Sequence, residues 1–188
     1  MKTYILPSIR LTLVCLVFFA GFYPLVLWGI AKAAGPGHGE GEVLKANGKV
    51  VGYALVGQSF TKDKYFNGRP SAVGYNAASS GASNKGPSNP DYLKQVQQAI
   101  DTFAAHNPTV KREDIPAELV TASGSGLDPD ISPAAALVQI PRIAKVRDID
   151  ESKLKSLVET QIEKPLLGLF GTERINVLKL NIELDQIK

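Results

Sequence analysis

The sequence predicts an α+β protein: a single N-terminal transmembrane helix followed by one extracytoplasmic α/β sandwich domain. Three observations lead there. Residues Leu11 to Ala31 form an uncharged apolar run bounded by Arg10 and Lys32. In the chain beyond that run, β-type patterns stand near the start and at the end, with helical patterns between them. The 188 residues minus that run leave about enough chain for one domain. The expected organisation is a cytoplasmic N-terminus over residues 1–10, a transmembrane helix over 11–31, a linker over 32–41 and a folded domain over 42–188.

At roughly 1.5 Å per residue, the apolar run is long enough as a helix to cross a ~30 Å hydrocarbon core. Pro24, Gly21 and Gly29 are tolerated in such helices, and Phe22, Tyr23 and Trp28 suit the interface with water. A cleaved secretory signal is the alternative, with Lys2 and Arg10 as its basic region and Ala31-Lys32-Ala33 as a cleavage site. Signal cores run ~7–15 residues, so the length favours a retained anchor. Either reading carries the rest of the chain out of the cytoplasm, since a short basic N-terminus stays inside.

Composition excludes several classes. The net charge of +3, from 21 basic and 18 acidic residues, is mild and dispersed, which leaves no nucleic-acid footprint. The single cysteine, Cys15, lies in the apolar run, so no intrachain disulfide forms. His38 and His106 are the only histidines, too few for a metal centre. Residues Ala33 to Gly41 are glycine-rich but lack the Gly-Lys-Ser/Thr ending of a phosphate-cradling loop, and read as a flexible linker.

Along the domain, two β-type runs flank Asn47-Gly48, a dipeptide suited to a type I′ hairpin. The aromatic turn YFNGRPSA comes next, then a long small-residue loop from Ala77 to Pro90, either a mobile surface loop or an ordered lip for a partner. Asn89, Pro90 and Asp91 open a helix whose Leu93, Val96, Ile100 and Phe103 form a core-facing stripe, stopped at Asn107-Pro108. Ser123 to Gly126 and Asp128-Pro129 mark tight turns. Ser132-Pro133 caps a short helix to about Gln139, and Pro141 forces a kink or a second helix through Arg147. Asp148 or Asp150 caps the next helix, which turns Leu154, Leu157, Val158 and Ile162 inward. After Pro165 and the Gly168-Leu169-Phe170-Gly171 turn, the alternation of Leu178, Leu180, Ile182 and Leu184 predicts a strand completing a half-buried sheet.

Four stretches in this order carry a resemblance: GKVVGYALVGQSFTKDKYFNGRPSA, SGASNKGPSNP, ELVTASGSGLDPDISPAAALVQIPRIAKVR and INVLKLNIELD. Together, behind one anchor, they resemble the C subunit of the bacterial Kdp-type potassium-transporting P-type ATPase, from the anchor to Asp185. One departure is Asp130, where many relatives carry histidine, which weakens any role for a basic ring there. The resemblance implies an accessory subunit of a high-affinity potassium uptake complex, not an enzyme by itself, needed for assembly of a channel-like potassium-binding subunit and a P-type ATPase subunit. It implies the bacterial inner membrane, with the folded domain periplasmic. It further implies that this chain binds no cofactor directly, while ATP, Mg²⁺ and K⁺ are used by the complex.

The family is also described as a catalytic chaperone that raises ATP affinity, with nucleotide contact at the glutamine matching Gln139. An exported domain has no route to cytoplasmic ATP, so the topology takes the other side. Residues expected to shape loops or touch a partner are Gln58, Phe60, Arg69, Pro70, Ser71, Ser123, Ser125, Asp128, Gln139 and Arg142. The competing class is a periplasmic membrane-anchored hydrolase, or a binding module unrelated to transport. A serine hydrolase would need Ser123 or Ser125 with His38 or His106, and neither serine sits in Gly-x-Ser-x-Gly.

Overall fold

The computed structural model describes residues 2–187. The chain divides into two units, one ending at Val43 and one beginning at Leu44.

The first unit is a helix in three pieces: α1 (Lys2–Leu16), a π-helical turn over Val17–Phe22, and α2 (Tyr23–Ala34). The π turn ends two residues before Pro24. Proline has no N–H to donate and its ring crowds the preceding turn, so a widened turn lets the helix continue without breaking. Tyr4 to Ala34 gives 31 helical residues, within which an 18-residue window has a mean hydropathy of 2.2 and is not buried, long and apolar enough to cross a membrane. The helix begins before Arg10, earlier than the apolar run, because a helix need not stop at the edge of the hydrocarbon. The segment expected as a flexible linker carries a turn of 3₁₀ helix over Pro36–Gly39, with Gly37 and His38 left-handed and Lys32 paired to Glu40 at 2.9 Å.

At the start of the second unit, whose boundary falls within β1 (Val43–Ala46), β1 and β2 (Lys49–Tyr53) form the expected hairpin. Asn47 and Gly48 have φ of 50° and 76°, the left-handed pair that a type I′ turn needs. Helix α3 (Pro90–His106) is capped by Asn89, whose side chain accepts from the Tyr92 amide at 3.1 Å. Its stripe is only partly the core face that was expected. No residue of α3 is buried, Leu93 is 54 % exposed, and Phe103 is the member that packs against the core.

The centre of the domain is helical. Helix α4 (Pro133–Leu137), capped by Ser132, stops before Gln139, and α5 (Ile140–Arg147) restarts with Pro141 in its first turn, where a missing N–H is harmless. Asp148 ends α5 in the left-handed region, and Asp150 caps α6 (Glu151–Thr160). The core joins Phe66, Ile131, Ala135, Ile143, Leu154, Val158, Ile175, Leu180 and Leu184.

The terminal strand predicted over Leu178–Leu184 is instead helix α7 (Val177–Leu184). The extended part is confined to β4 (Ile175–Asn176), which pairs antiparallel with β3 (Asp130–Ile131). Two causes override the alternation. Asn176 caps the helix by accepting from the Lys179 amide at 3.0 Å. Val177, Leu178, Leu180, Asn181 and Leu184 then fall on one broad helical face and are all buried, whereas Ile182 lies at its margin. The fold is α+β, but the strands form two separate two-stranded sheets rather than one sheet shared by both ends.

Candidate functional site

The chemistry-bearing residues converge where the 58–75 segment meets the 121–147 segment. Gln139 is fully buried at the break between α4 and α5. Its Oε1 accepts from the Asn67 amide and from Arg142 Nη2, both at 2.8 Å, and its Nε2 donates to the carbonyls of Asn67 at 3.1 Å and Ala135 at 2.9 Å. A primary amide has two donor hydrogens and two acceptor lone pairs, so all four positions are occupied from within the domain.

Arg142, in the first turn of α5, is equally committed. Its Nε donates to Asn107 Oδ1 at 3.0 Å, its Nη2 also donates to Asn67 Oδ1 at 3.0 Å, and its Nη1 donates to the Asp63 carbonyl. Burial pulls its pKa below the ordinary arginine value, opposed by the Asp63 carboxylate 3.8 Å away. A buried guanidinium ringed mostly by neutral acceptors holds loops in place, since neither it nor an amide exchanges protons near neutral pH. His106 Nδ1 lies 2.7 Å from Asp63 Oδ1 at the outer edge of this hub. A cleft of about 440 Å³ opens there, lined by Thr61, Asp63, Asn67, Thr102, His106 and Asn107 among others.

A second cluster stitches the serine-rich turns to the aromatic turn. Arg69 Nη1 pairs with Asp128 Oδ2 at 3.0 Å, and Asp128 Oδ1 accepts from the Asp130 amide at 3.0 Å. The Ser123 amide donates to the Pro70 carbonyl at 3.0 Å. Ser71 Oγ donates to the Gly126 carbonyl at 2.6 Å and accepts from the Tyr75 amide at 2.9 Å. Gly126 has φ of 69°, and a Cβ there would collide with Val73 and with the Gly81 carbonyl. The 77–90 loop is tied in as well, because Ser80 Oγ and the Gly81 amide both donate to the Ser125 carbonyl, at 2.9 and 2.8 Å. Ser125 Oγ accepts from the Leu127 amide at 3.0 Å.

Gln58 and Phe60 lie on another face. Gln58 Nε2 donates to the Val51 carbonyl at 3.2 Å, and both residues line a cleft of about 330 Å³ together with Tyr65, Asn181 and Asp185. There the Tyr65 hydroxyl donates to Asp185 Oδ2 at 2.9 Å, and burial and that hydrogen bond raise its pKa. Arg147 stacks 5.0 Å from the Tyr65 ring and pairs with Asp185 at 2.6 Å. The residues expected to matter therefore fall into three groups. Gln139 and Arg142 form the hub, Arg69, Pro70, Ser71, Ser123, Ser125 and Asp128 form the stitched turns, and Gln58 and Phe60 line the separate cleft.

Asn67 and Asn181 do not stand out in the sequence, and Asn107 does so only as a helix stop, yet each anchors a loop. Asn67 joins the hub to the Phe60 carbonyl, Asn107 receives Arg142, and Asn181 brackets the backbone of Phe66 with two bonds of 2.9 Å. Lone asparagines inside or beside apolar stretches were the available signal, because a buried amide needs a paired backbone. Among the described residues, no group of three or more histidine, cysteine or acidic side chains is placed to hold a metal ion.

The sequence profile of the family described as "K+-transporting ATPase, c chain" matches residues 5–186. The chain belongs to the KdpC family. Similar KdpC-family relatives include a protein named Potassium-transporting ATPase KdpC subunit from Bacteroides fragilis strain YCH46, 57 % identical over all of this chain and 99 % of its own length. One of the same name from Bacteroides thetaiotaomicron is 56 % identical over the full length of both chains. A third, from Flavobacterium johnsoniae, is 57 % identical over 96 % of each. The KdpC match spans the apolar helix, the hub and the stitched turns alike.

Proposed function

We propose that this chain is an accessory, non-catalytic subunit of a high-affinity, ATP-driven potassium uptake complex in the bacterial inner membrane. Its helix packs against the membrane helices of a channel-like potassium-binding subunit, which stands beside a P-type ATPase subunit. Its domain braces that subunit on the external side, near the ion entrance. The observation that carries this is the helix from Tyr4 to Ala34, apolar over most of its length and without a buried window. Such a surface needs lipid and neighbouring helices to cover it, since no part of the described chain does. The relatives' names supply the potassium-transporting ATPase.

Gln139 acts in this reading as a loop clasp, with no free hydrogen-bonding position for a nucleotide. The domain binds no ATP, Mg²⁺ or K⁺ of its own, and its Ser/Asn/Asp turns shape a surface. A potassium site built of carbonyl rings belongs to the channel-like partner. The test removes residues 42–188 and keeps the anchor. Loss of assembly or of potassium uptake is expected, and full transport by a complex carrying only the anchor would overturn the brace. A reporter fused after Lys188 is expected to be active outside the cytoplasm, and activity only inside would reverse the topology.

A further inference from the structure

The segment after α6 is a narrow hairpin finger whose tip is the most exposed apolar feature of the second unit. At its base, Glu163 and Arg174 exchange two backbone hydrogen bonds of 2.8 and 3.1 Å. Nearer the tip, Leu166 and Phe170 exchange two of 3.0 Å. Leu166, Leu167, Leu169 and Phe170 are 70, 80, 79 and 64 % exposed. Leu167 and Gly168 have φ of 56° and 71°. The left-handed region is ordinary for glycine and unfavourable for leucine, so the fold holds a bulky apolar residue in a strained turn while giving it nothing to pack on.

We propose that this finger is a second membrane contact, inserting Leu166, Leu167, Leu169 and Phe170 into the interfacial zone of the same bilayer that holds the anchor. Three features favour lipid over a protein socket. The tip is convex and one turn wide, well short of the ~800 Å² per partner of a standard protein interface. The residues are aliphatic and aromatic without a polar handle, the composition that partitions into the acyl boundary. The covalent link to the apolar helix keeps the domain beside a bilayer, so even a small apolar contact is entropically favoured. The shaft carries no net charge of its own: Lys164 and Glu173 are both exposed without a partner among the described ion pairs, while Glu163 is matched by both Arg174 and Lys179.

The proposal rests on the anchored reading above, and the test separates the two. The full chain, with Cys15→Ala and Leu169→Cys, is labelled with an environment-sensitive dye and reconstituted in phosphatidylethanolamine/phosphatidylglycerol vesicles containing spin-labelled lipid. Leu169 is chosen because it is exposed and its backbone is unstrained. Lipid quenching at this site is expected to exceed that at a Ser88→Cys control by roughly twofold or more, with reduced quenching by aqueous iodide. The same dye on the natural Cys15 reports the anchor alone, so quenching there without quenching at position 169 overturns only the finger. Full access of the finger dye to iodide overturns it. So does protection from both quenchers that arises only when the other subunits are co-reconstituted, which assigns the tip to a protein socket.

Discussion

Replacing Gln139 with leucine tests whether the hub is a clasp. The side chains are of similar size, so the change leaves little cavity, and its effect comes from hydrogen bonds. The substitution strands the Asn67 amide, 2.8 Å from Oε1, and the carbonyls of Asn67 and Ala135, 3.1 and 2.9 Å from Nε2. It also removes one acceptor from Arg142 Nη2, which keeps only Asn67 Oδ1 at 3.0 Å. A buried polar group left without a partner costs about 1–3 kcal/mol, so the three stranded backbone groups together amount to roughly 3–9 kcal/mol. That is a large part of the ~5–15 kcal/mol stability of a typical domain. For a chain of this size it corresponds to a midpoint lower by about 10 °C or more. The measurement is thermal unfolding of the full chain in detergent, monitored by near-UV circular dichroism, which reports tertiary packing around the tyrosines. A variant melting within about 2 °C of the natural chain refutes the clasp. So does a Mg-ATP stabilisation of the natural chain that Q139L abolishes, because it requires a free amide.

Two further outcomes rest on the same physics of buried polar groups. Asn181→Leu removes both bonds that bracket Phe66, and a loss of about 2–6 kcal/mol is expected, with faster hydrogen exchange at the Phe66 amide; unchanged exchange there rules out the bracket. Burial raises the pKa of Asp130 above its ordinary 3.8, with Asp128 and Glu163 adding to the rise and Arg174 and Asn176 opposing it. The folded chain then holds this proton more tightly than the unfolded one, so stability falls as pH rises from about 3.8 through the folded value. Asp130→Asn removes that dependence, and the melting difference, variant minus natural, is expected to grow more positive across the window. A flat or declining difference contradicts it.

Much of the local structure was legible because it depends on residues close in sequence. Asn47-Gly48, Asn89-Pro90, Ser132-Pro133 and Pro141 each set a turn, a cap or a break through their own backbone chemistry, and each is realised where expected. Period was a weaker guide. In Val177–Leu184, leucines spaced by two satisfy a strand and also lie within a broad helical face, and the cap at Asn176 decided between them. In α3 the apolar spacing is helical as expected, but it could not say how much of that face the core would cover.

The site divides along the same line. The motifs NGRPS, SGSGLDPD and LVQIPR were visible as dense in turn-forming and polar residues, but their partners lie far along the chain: Asn67 meets Gln139, Arg69 meets Asp128, and Phe66 meets Asn181. By itself the sequence determined the long apolar helix, the α+β class, the caps and the family, since these rest on composition and short-range pattern. Only the tertiary structure decided that Gln139 and Arg142 are committed to holding backbone, and that Leu166 to Phe170 stand uncovered. A buried amide and a free one are spelled alike, and burial is set by what packs from elsewhere in the chain.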